Sequence, residues 1–295
     1  MDAHRDVVCG YDGSTESQHA VDWAAHEAEL RGVGLRLVLG LNWPQLLLAA
    51  GQAVQPQQAD DETLRLARRT VEEAAEQVRT RHPRVAATAV VEQDAAIPVL
   101  LAEGERAALL VVGARGRGGF RRMVLGSVST AVAEHAACPV VVVHPPGHGA
   151  GPPATAPVVV AVDGSPASAA VLAFAFEVAS SRKLTVRAVH AVHLDPLMEQ
   201  LELMSGAGPR PHAAASSKLL AEAVAPWRAR FPHVEVIEET VFGHPVPAIA
   251  SAAGGAALLV VGTQGHGDLR AALLGSVSRG LLHHVSGPVA VVPHA

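Results

Sequence analysis

Two copies of one glycine-rich motif hold the residues of this chain best suited to chemistry. Each copy reads Gly-x-x-Gly, then nine residues, then Gly-Ser. The copies consist of Gly113, Gly116, Gly126 and Ser127, and of Gly262, Gly265, Gly275 and Ser276. Glycines ahead of a helix let backbone N–H groups close around an anion, and the positive end of the helix dipole adds to the attraction. The repeat predicts two phosphate-binding loops, or one functional loop and a degenerate copy.

The residues around each motif extend the predicted cradle. Ser127 and Ser276 are expected to cap their helices and to donate hydrogen bonds to phosphate. The cradle continues into the first helical turn with Val128, Ser129, Val277 and Ser278. The first copy also carries Arg115, Arg117 and Arg121, where the second carries Gln264, His266 and Arg270. Because guanidinium groups bind phosphate strongly, we expect the first site to hold a triphosphate more firmly at neutral pH.

A second polar loop occurs once in each half, after an apolar run. It reads Asp12, Gly13 and Ser14 in the first half, and Asp163, Gly164 and Ser165 in the second. The carboxylate could accept hydrogen bonds from a ribose or an exocyclic amine. The same residue types also suit a strand-to-helix turn, with the serine or aspartate as a helix cap. The repetition of the three residues favours the ligand role.

Several other nucleotide and catalytic motifs are absent from the sequence. A Walker A loop requires Gly-Lys-Ser/Thr, but the only lysines, Lys183 and Lys218, each precede leucine and do not follow glycine. No Gly-x-Gly-x-x-Gly turn follows the first strand, and no Gly-x-Ser-x-Gly elbow marks a nucleophile. The 16 histidines lack zinc-ligand spacing. The sequence therefore predicts no catalytic residue and no metal site.

The composition limits the classes of partner. A formal net charge of −5 argues against broad nucleic-acid binding, which requires a concentrated basic surface. The apolar runs are short and interrupted, so no membrane span is predicted. Both cysteines, Cys9 and Cys138, lie in strand-like contexts, which predicts buried thiols and a cytoplasmic location.

Strands and helices alternate through both halves of the chain. Predicted strands cover 6–11, 35–41, 85–91, 109–112 and 139–143, then 158–162, 184–192, 234–241, 258–261 and 288–292. In the first half, helices are predicted over 15–31, 62–81, 97–106 and 127–136. The internal repeat predicts two domains, 1–145 and 156–295, joined by a Pro/Gly-rich linker over 146–155. Such alternation is typical of an α/β fold, a parallel sheet with helices on both faces.

Taken together, these residues resemble the universal stress protein family, in its ATP-binding subgroup and tandem two-domain form. The resemblance implies a Rossmann-like open five-stranded parallel sheet of order 3-2-1-4-5 in each half, with ATP and its Mg²⁺ lying across strands one and four. It also implies that Asp12 and Asp163 contact the adenosine, with the backbone of Gly40 and Ala191 near the base. The family's Gly-x-Pro after the third strand is kept at 243–245, whereas the first half has Asp-Ala-Ala at 94–96.

The resemblance implies an ATP-binding stress or signalling module rather than a dedicated catalyst. Binding would order the loops at 42–61 and 193–213, and an unknown protein partner or oligomerisation would detect the occupancy. A slow ATPase or a protein that phosphorylates itself on Ser127 or Ser276 is one alternative, and a scaffold that binds no nucleotide is another. The resemblance also implies pairing through the last strands. The apolar strands 140–143 and 289–292 are the candidate edges for an intrachain pseudo-dimer, and a further homodimer stays open.

Overall fold

The computed structural model describes residues 6–42, 61–116, 125–145, 153–193, 210–264 and 274–294. The chain divides into two compact units, residues 1–145 (unit 1) and 146–295 (unit 2). Most of the predicted linker, 146–152, lies outside the described residues. Among the described residues, no helix is both long and apolar enough to cross a membrane.

In unit 1, the described strands form a parallel sheet of order β3-β2-β1-β4-β5. Its strands are β1 (Val7–Gly10), β2 (Leu35–Gly40), β3 (Ala87–Glu92), β4 (Leu109–Gly113) and β5 (Val140–Val143). Its helices are α1 (Thr15–Arg31), α2 (Asp61–Arg81), α3 (Ala96–Gly104) and α4 (Ser127–His135). Helices α1 and α2 contact each other, and α3 contacts α4, so the two pairs cover the sheet from its two faces.

Unit 2 repeats this topology, with the parallel order β8-β7-β6-β9-β10. Its strands are β6 (Val158–Ala161), β7 (Val186–Val192), β8 (Val236–Phe242), β9 (Leu258–Gly262) and β10 (Val289–Val292). Its helices are α5 (Ser168–Arg182), α6 (Arg210–Arg230), α7 (Pro245–Ala252) and α8 (Ser276–His284). The predicted α/β class and the strand order 3-2-1-4-5 are therefore confirmed in both units.

The central strands are apolar along their length because helices cover both of their sides. In β1, Val7, Val8 and Cys9 are all buried, and β4 buries its four residues from Leu109 to Val112. Burial raises the pKa of the Cys9 thiol far above its ordinary value. The thiol is therefore an inert part of the core rather than a nucleophile.

The winding of each sheet reverses between its first and fourth strands, since β1 lies beside β4 and β6 beside β9. In open α/β sheets, ligands bind outside the carboxyl ends of the strands at this point. The loops after β1 and β4 meet there in unit 1, and those after β6 and β9 meet there in unit 2. The fold thus brings the predicted Asp-Gly-Ser loop of each half next to its glycine motif.

The ends of some elements differ from the sequence predictions. Helix α5 begins at Ser168, two residues later than the position matching the start of α1, because Pro166 and Ala167 form a turn that is closed by a hydrogen bond from Ser168 N to Ser165 O. The predicted loops 42–61 and 193–213 are shorter than expected, since Asp61 and residues 210–213 are helical. The rest of both loops, 43–60 and 194–209, lies outside the described residues.

Candidate functional site

The loop after β1 is held by the Asp12 carboxylate. Asp12 Oδ1 accepts hydrogen bonds from Ser14 N (2.9 Å) and Ser14 Oγ (2.6 Å). Ser14 is the N-cap of α1, because its hydroxyl oxygen accepts from Ser17 N at 3.1 Å. Gly13 has a φ of 77°, a conformation that favours glycine. The helix-cap role therefore accounts for Ser14 and for one Asp12 oxygen.

The second oxygen of Asp12 faces the glycine motif. A Cβ added at Gly116 would lie 2.5 Å from Asp12 Oδ2. The loops after β1 and β4 thus approach each other closely, and glycine is the residue that permits it. This juxtaposition brings Asp12 and Gly116, both predicted binding residues, into one place.

Unit 2 fixes the matching carboxylate with three donors. Asp163 Oδ1 accepts from Ser165 N (2.9 Å), Ser165 Oγ (2.7 Å) and Ser168 Oγ (2.8 Å). Gly164 has a φ of 81°, and a Cβ there would lie 2.6 Å from Leu219 Cδ1 of α6. Helix α6 therefore packs directly on this loop.

Gly113 and Gly262 end the fourth strand of each unit, and their first task is packing. A Cβ at Gly113 would lie 2.8 Å from the carbonyl carbon and oxygen of Glu16, in the first turn of α1. A Cβ at Gly262 would lie 3.1 Å from Gln264 O and 3.3 Å from Val171 Cγ2. Gly113 allows β4 to pass close to α1. The contacts of a Cβ at Gly262 would be less severe, so glycine is less strictly required there.

The first turn of α4 has no side-chain cap. The N-cap residue is Gly126, and Ser127 is already the first helical residue, exposed to solvent. The expectation that Ser127 caps this helix is therefore wrong, because a serine caps from the position before the first helical residue. The nearby Ser129 hydroxyl donates to Ala114 O (2.9 Å) and Gly126 O (3.0 Å), and its side chain is buried.

Helix α8 repeats this arrangement at Gly275, so the expected Ser276 cap is wrong as well. Gly275 is the uncapped N-cap residue, and Ser276 is exposed. The Ser278 hydroxyl donates to Gly262 O at 2.5 Å. Ser129 and Ser278 thus bind their hydroxyls to the protein, which leaves only their backbone N–H groups for a ligand.

Three N–H groups at the start of each helix have no acceptor in the described part of the chain. They belong to residues 127–129 and 276–278, which include Val128 and Val277. The N–H groups before and after each set are bonded, from Gly126 to Ala114 O (2.7 Å) and from Thr130 to Gly126 O (3.1 Å) in α4. An anion in front of such a turn receives several hydrogen bonds and the favourable end of the dipole.

Packing does not require glycine at the two N-cap positions. Gly126 has φ −84° and ψ 160°, and Gly275 has φ −58° and ψ 152°, which other residues adopt. The nearest atom to an added Cβ is 3.4 Å away at both positions, an ordinary contact. A methyl group would therefore make ordinary contacts at both positions, and packing within the described chain does not explain the two glycines.

Arg115 is a charged side chain of the first motif that lies among the described residues. Arg115 lies beside Glu16, with Arg115 Nη2 3.4 Å from Glu16 Oε1, and Arg115 Nε is buried with no hydrogen-bond partner among the described residues. The remaining predicted members of this region lie outside the described residues: Arg117, Arg121, Gly265, His266 and Arg270. In the described ranges, no group of three or more His, Cys, Asp and Glu side chains is arranged to hold a metal ion.

The two units differ at the ends of their second and third strands. In unit 1, a Cβ at Gly40 would lie 2.6 Å from Ala96 Cα, so the loop after β3 packs onto the end of β2. In unit 2, the matching position is Ala191, and the loop turns at Gly243 with a φ of 116° before Pro245 begins α7. The departure from Gly-x-Pro in unit 1 thus accompanies a loop of different conformation.

Sequence reasoning missed one polar side chain at this edge. His190, in β7, places Nδ1 2.7 Å from the carbonyl oxygen of Val162, the residue before Asp163. Its signal in the sequence was a histidine at a strand position where the first half has Leu39.

A family model adds the decisive comparison. The universal stress protein family model matches residues 4–144 and 155–293. This chain belongs to the universal stress protein family. The universal stress protein Rv2005c of Mycobacterium tuberculosis is 34% identical over 290 residues, which cover 97% of this chain and 96% of that relative.

One solved structure shows the same fold over nearly the whole chain. A universal stress protein from Archaeoglobus fulgidus covers 99% of this chain and 97% of its own, with a TM-score of 0.68 and 18% identity. A smaller universal stress protein, solved in complex with cAMP, covers 48% of this chain and 98% of its own, with 26% identity and a TM-score of 0.35.

Proposed function

We propose that this universal stress protein binds an adenine nucleotide, ATP accompanied by Mg²⁺, at the carboxyl edge of each sheet. The observation that carries the proposal is the pair of uncapped helix N-termini behind Gly126 and Gly275. Each presents three N–H groups without an acceptor in the described chain, behind a glycine that packing does not require. Phosphate oxygens are the ligand chemistry that this arrangement suits best.

The neighbouring loops supply the rest of a nucleotide site. Neighbouring parallel strands lie about 4.8 Å apart, so the ends of β4 and β2 are about 10 Å apart with β1 between them. With phosphates in front of α4, the sugar would lie near Asp12 and the base near the end of β2, at Gly40. In unit 2, the same path runs from α8 past Asp163 to Ala191.

The nucleotide acts as a signal in this proposal. No described residue is placed as a general base beside Ser127 or Ser276, and Mg²⁺ would arrive on the phosphates rather than in a protein cage. Occupancy of the two sites would change the surface that a protein partner or a second copy of the chain contacts. Pairing of the chain's own last strands stays a prediction.

The proposal is tested by calorimetric titration of the full chain with Mg·ATP. Gly126→Val places a branched side chain where phosphate would lie in unit 1, and Gly275→Val does the same in unit 2. Each single variant should lose one of two binding sites, and the double variant should lose both. Gly287→Val is the control, because nothing lies within 4 Å of a Cβ there.

Circular dichroism should show that the variants are folded. Full ATP stoichiometry in the folded double variant would contradict the assignment of both loops. If the wild-type chain binds no adenine nucleotide, the alternative of a scaffold without a nucleotide remains. If the chain hydrolyses ATP over multiple turnovers, the alternative of a slow ATPase is supported.

A further inference from the structure

A polar cluster in unit 2 stands where unit 1 has an apolar one. In unit 1, Leu41 and Ala67 form a small core, and the partly buried Leu39, Leu64 and Val91 pack against it. The two units can be matched through their strand registers. Leu39 pairs with Val91 between β2 and β3, and His190 pairs with Thr240 between β7 and β8.

The replacement continues into the covering helix. Helices α2 and α6 are both 21 residues long, and their seventh residues are Ala67 and Ser216. Ser216 is 3% exposed, and its hydroxyl lies 2.8 Å from the Thr240 hydroxyl. His190 and Thr240 are partly buried, and a hydrogen-bonded pair of hydroxyls adds little net stability over the apolar packing that it replaces, so the polar side chains of unit 2 are candidates for a role beyond packing.

The hydrogen bond of His190 determines what its ring can offer. Nδ1 lies 2.7 Å from the Val162 carbonyl oxygen, which can only accept, so Nδ1 carries the proton and donates. In the neutral ring, Nε2 then presents a lone pair and acts as an acceptor. No described residue donates to Nε2.

The position of His190 places this acceptor beside the expected base. Unit 2 orders its strands β8-β7-β6-β9, so β7 lies on the far side of β6 from the phosphate loop after β9. The Val162 carbonyl directly precedes Asp163, whose carboxylate is expected near the sugar. His190 is thus one strand further along the same edge, where the base of a bound nucleotide would lie.

We propose that His190 determines base selectivity in unit 2 by accepting a hydrogen bond from the exocyclic amine of adenine at Nε2. This inference rests on the proposed nucleotide binding. Hypoxanthine carries a carbonyl oxygen where adenine carries the amine. This oxygen and His190 Nε2 are both acceptors and cannot form a hydrogen bond with each other. Unit 1 has Leu39 at this position and lacks the acceptor.

The test uses the full chain with Gly126→Val, so that only unit 2 binds. Calorimetric titration at pH 8, where an ordinary imidazole is neutral, compares Mg·ATP with Mg·ITP. ATP should bind about tenfold more tightly, the effect of one good hydrogen bond and one avoided mismatch.

Two variants separate this role from a structural one. In His190→Asn, the amide can keep the hydrogen bond to Val162 but has no group at the place of Nε2, so the ATP preference should fall to near unity. In His190→Gln, the longer amide can reach the place of Nε2, so part of the preference should return.

The outcomes distinguish this inference from the function on which it rests. Equal binding of ATP and ITP in the Gly126→Val chain would overturn the role of His190 and leave nucleotide binding intact, without depending on any His190 variant. A full ATP preference in folded His190→Asn would also overturn it. It would show that His190 serves only as a hydrogen-bond donor to the Val162 carbonyl oxygen after β6. Absence of any nucleotide binding by the wild-type chain would overturn both.

Discussion

At the scale of single residues, the glycines of the repeated motif perform different tasks. Gly113 has backbone atoms of Glu16 2.8 Å from the place of a Cβ, whereas Gly126 has nothing nearer than 3.4 Å. The first glycine is therefore required by the packing of β4 against α1. Packing within the described chain does not require glycine at position 126, which is consistent with the proposed phosphate site.

This difference predicts that the same substitution destabilises the protein at Gly113 and has little effect at Gly126. Gly113→Ala should lower the free energy of unfolding by about 1–3 kcal/mol, because backbone atoms of α1 must move. Gly126→Ala should change it by less than about 0.5 kcal/mol, since its φ and surroundings accept a methyl group. Urea denaturation followed by circular dichroism measures both, and equal destabilisation by the two variants would contradict the division of tasks.

The residue scale also shows where sequence reasoning failed. The spacing of the motif predicted a strand that ends near Gly113 and a helix that starts near Ser127, but it could not show which residue stands at the N-cap. Ser127 lies one position too late to cap, and Ser129 turns its hydroxyl into the protein, because these details depend on the backbone angles of Gly126. His190 was missed because its hydrogen-bond partner, the carbonyl oxygen of Val162, is distant in sequence.

At the scale of elements, the strands were predictable because runs such as 109–112 and 258–261 are continuously apolar, as parallel strands covered on both faces must be. Helix starts were less predictable, since local turn chemistry decides them. The pair Ser165 and Pro166 delays α5 to Ser168, although the matching Ser14 starts α1 directly. The match between the halves was therefore strong in the strands and weaker in the loops that form the site.

A charged contact between elements gives a prediction for pH. Glu29, in α1, contacts two residues that follow the end of α2, His82 and Arg84. Its carboxylate accepts hydrogen bonds from Arg84 Nε (3.1 Å) and Arg84 Nη2 (3.0 Å), and Glu29 Oε2 lies 2.9 Å from His82 Nδ1. The hydrogen bonds from His82 and then Arg84 hold the pKa of Glu29 below its ordinary value. A lowered folded pKa means that the contact stabilises the fold above the unfolded pKa, near 4.3, and is lost as the pH falls through the folded pKa.

Glu29→Gln should therefore lower the melting temperature at pH 7, and the difference from wild type should shrink toward pH 3. Glu62→Gln is the control, because Glu62 pairs with Arg65 on the exposed surface of α2, and such pairs contribute little. Differential scanning calorimetry at both pH values provides the measurement. A Glu29→Gln difference that is as large at pH 3 as at pH 7 would contradict the ionic origin of the contact.

At the scale of the whole molecule, two units of one topology differ at their candidate sites. Unit 1 packs the loop at 94–96 onto Gly40, while unit 2 turns at Gly243 and places His190 at the same edge. The internal repeat made the shared fold predictable from the sequence. It could not reveal the difference at the ends of β2 and β7, because that difference depends on side chains that strands and helices from separate parts of the chain bring together.

The central claim is that both units bind an adenine nucleotide. The most direct test is to denature freshly purified protein, with and without prior incubation with Mg·ATP, and to quantify the released nucleotide by chromatography. We predict close to two adenine nucleotides per chain after incubation, falling to one in Gly126→Val and in Gly275→Val. No nucleotide released from the native protein, followed by no uptake of added ATP, would contradict the account.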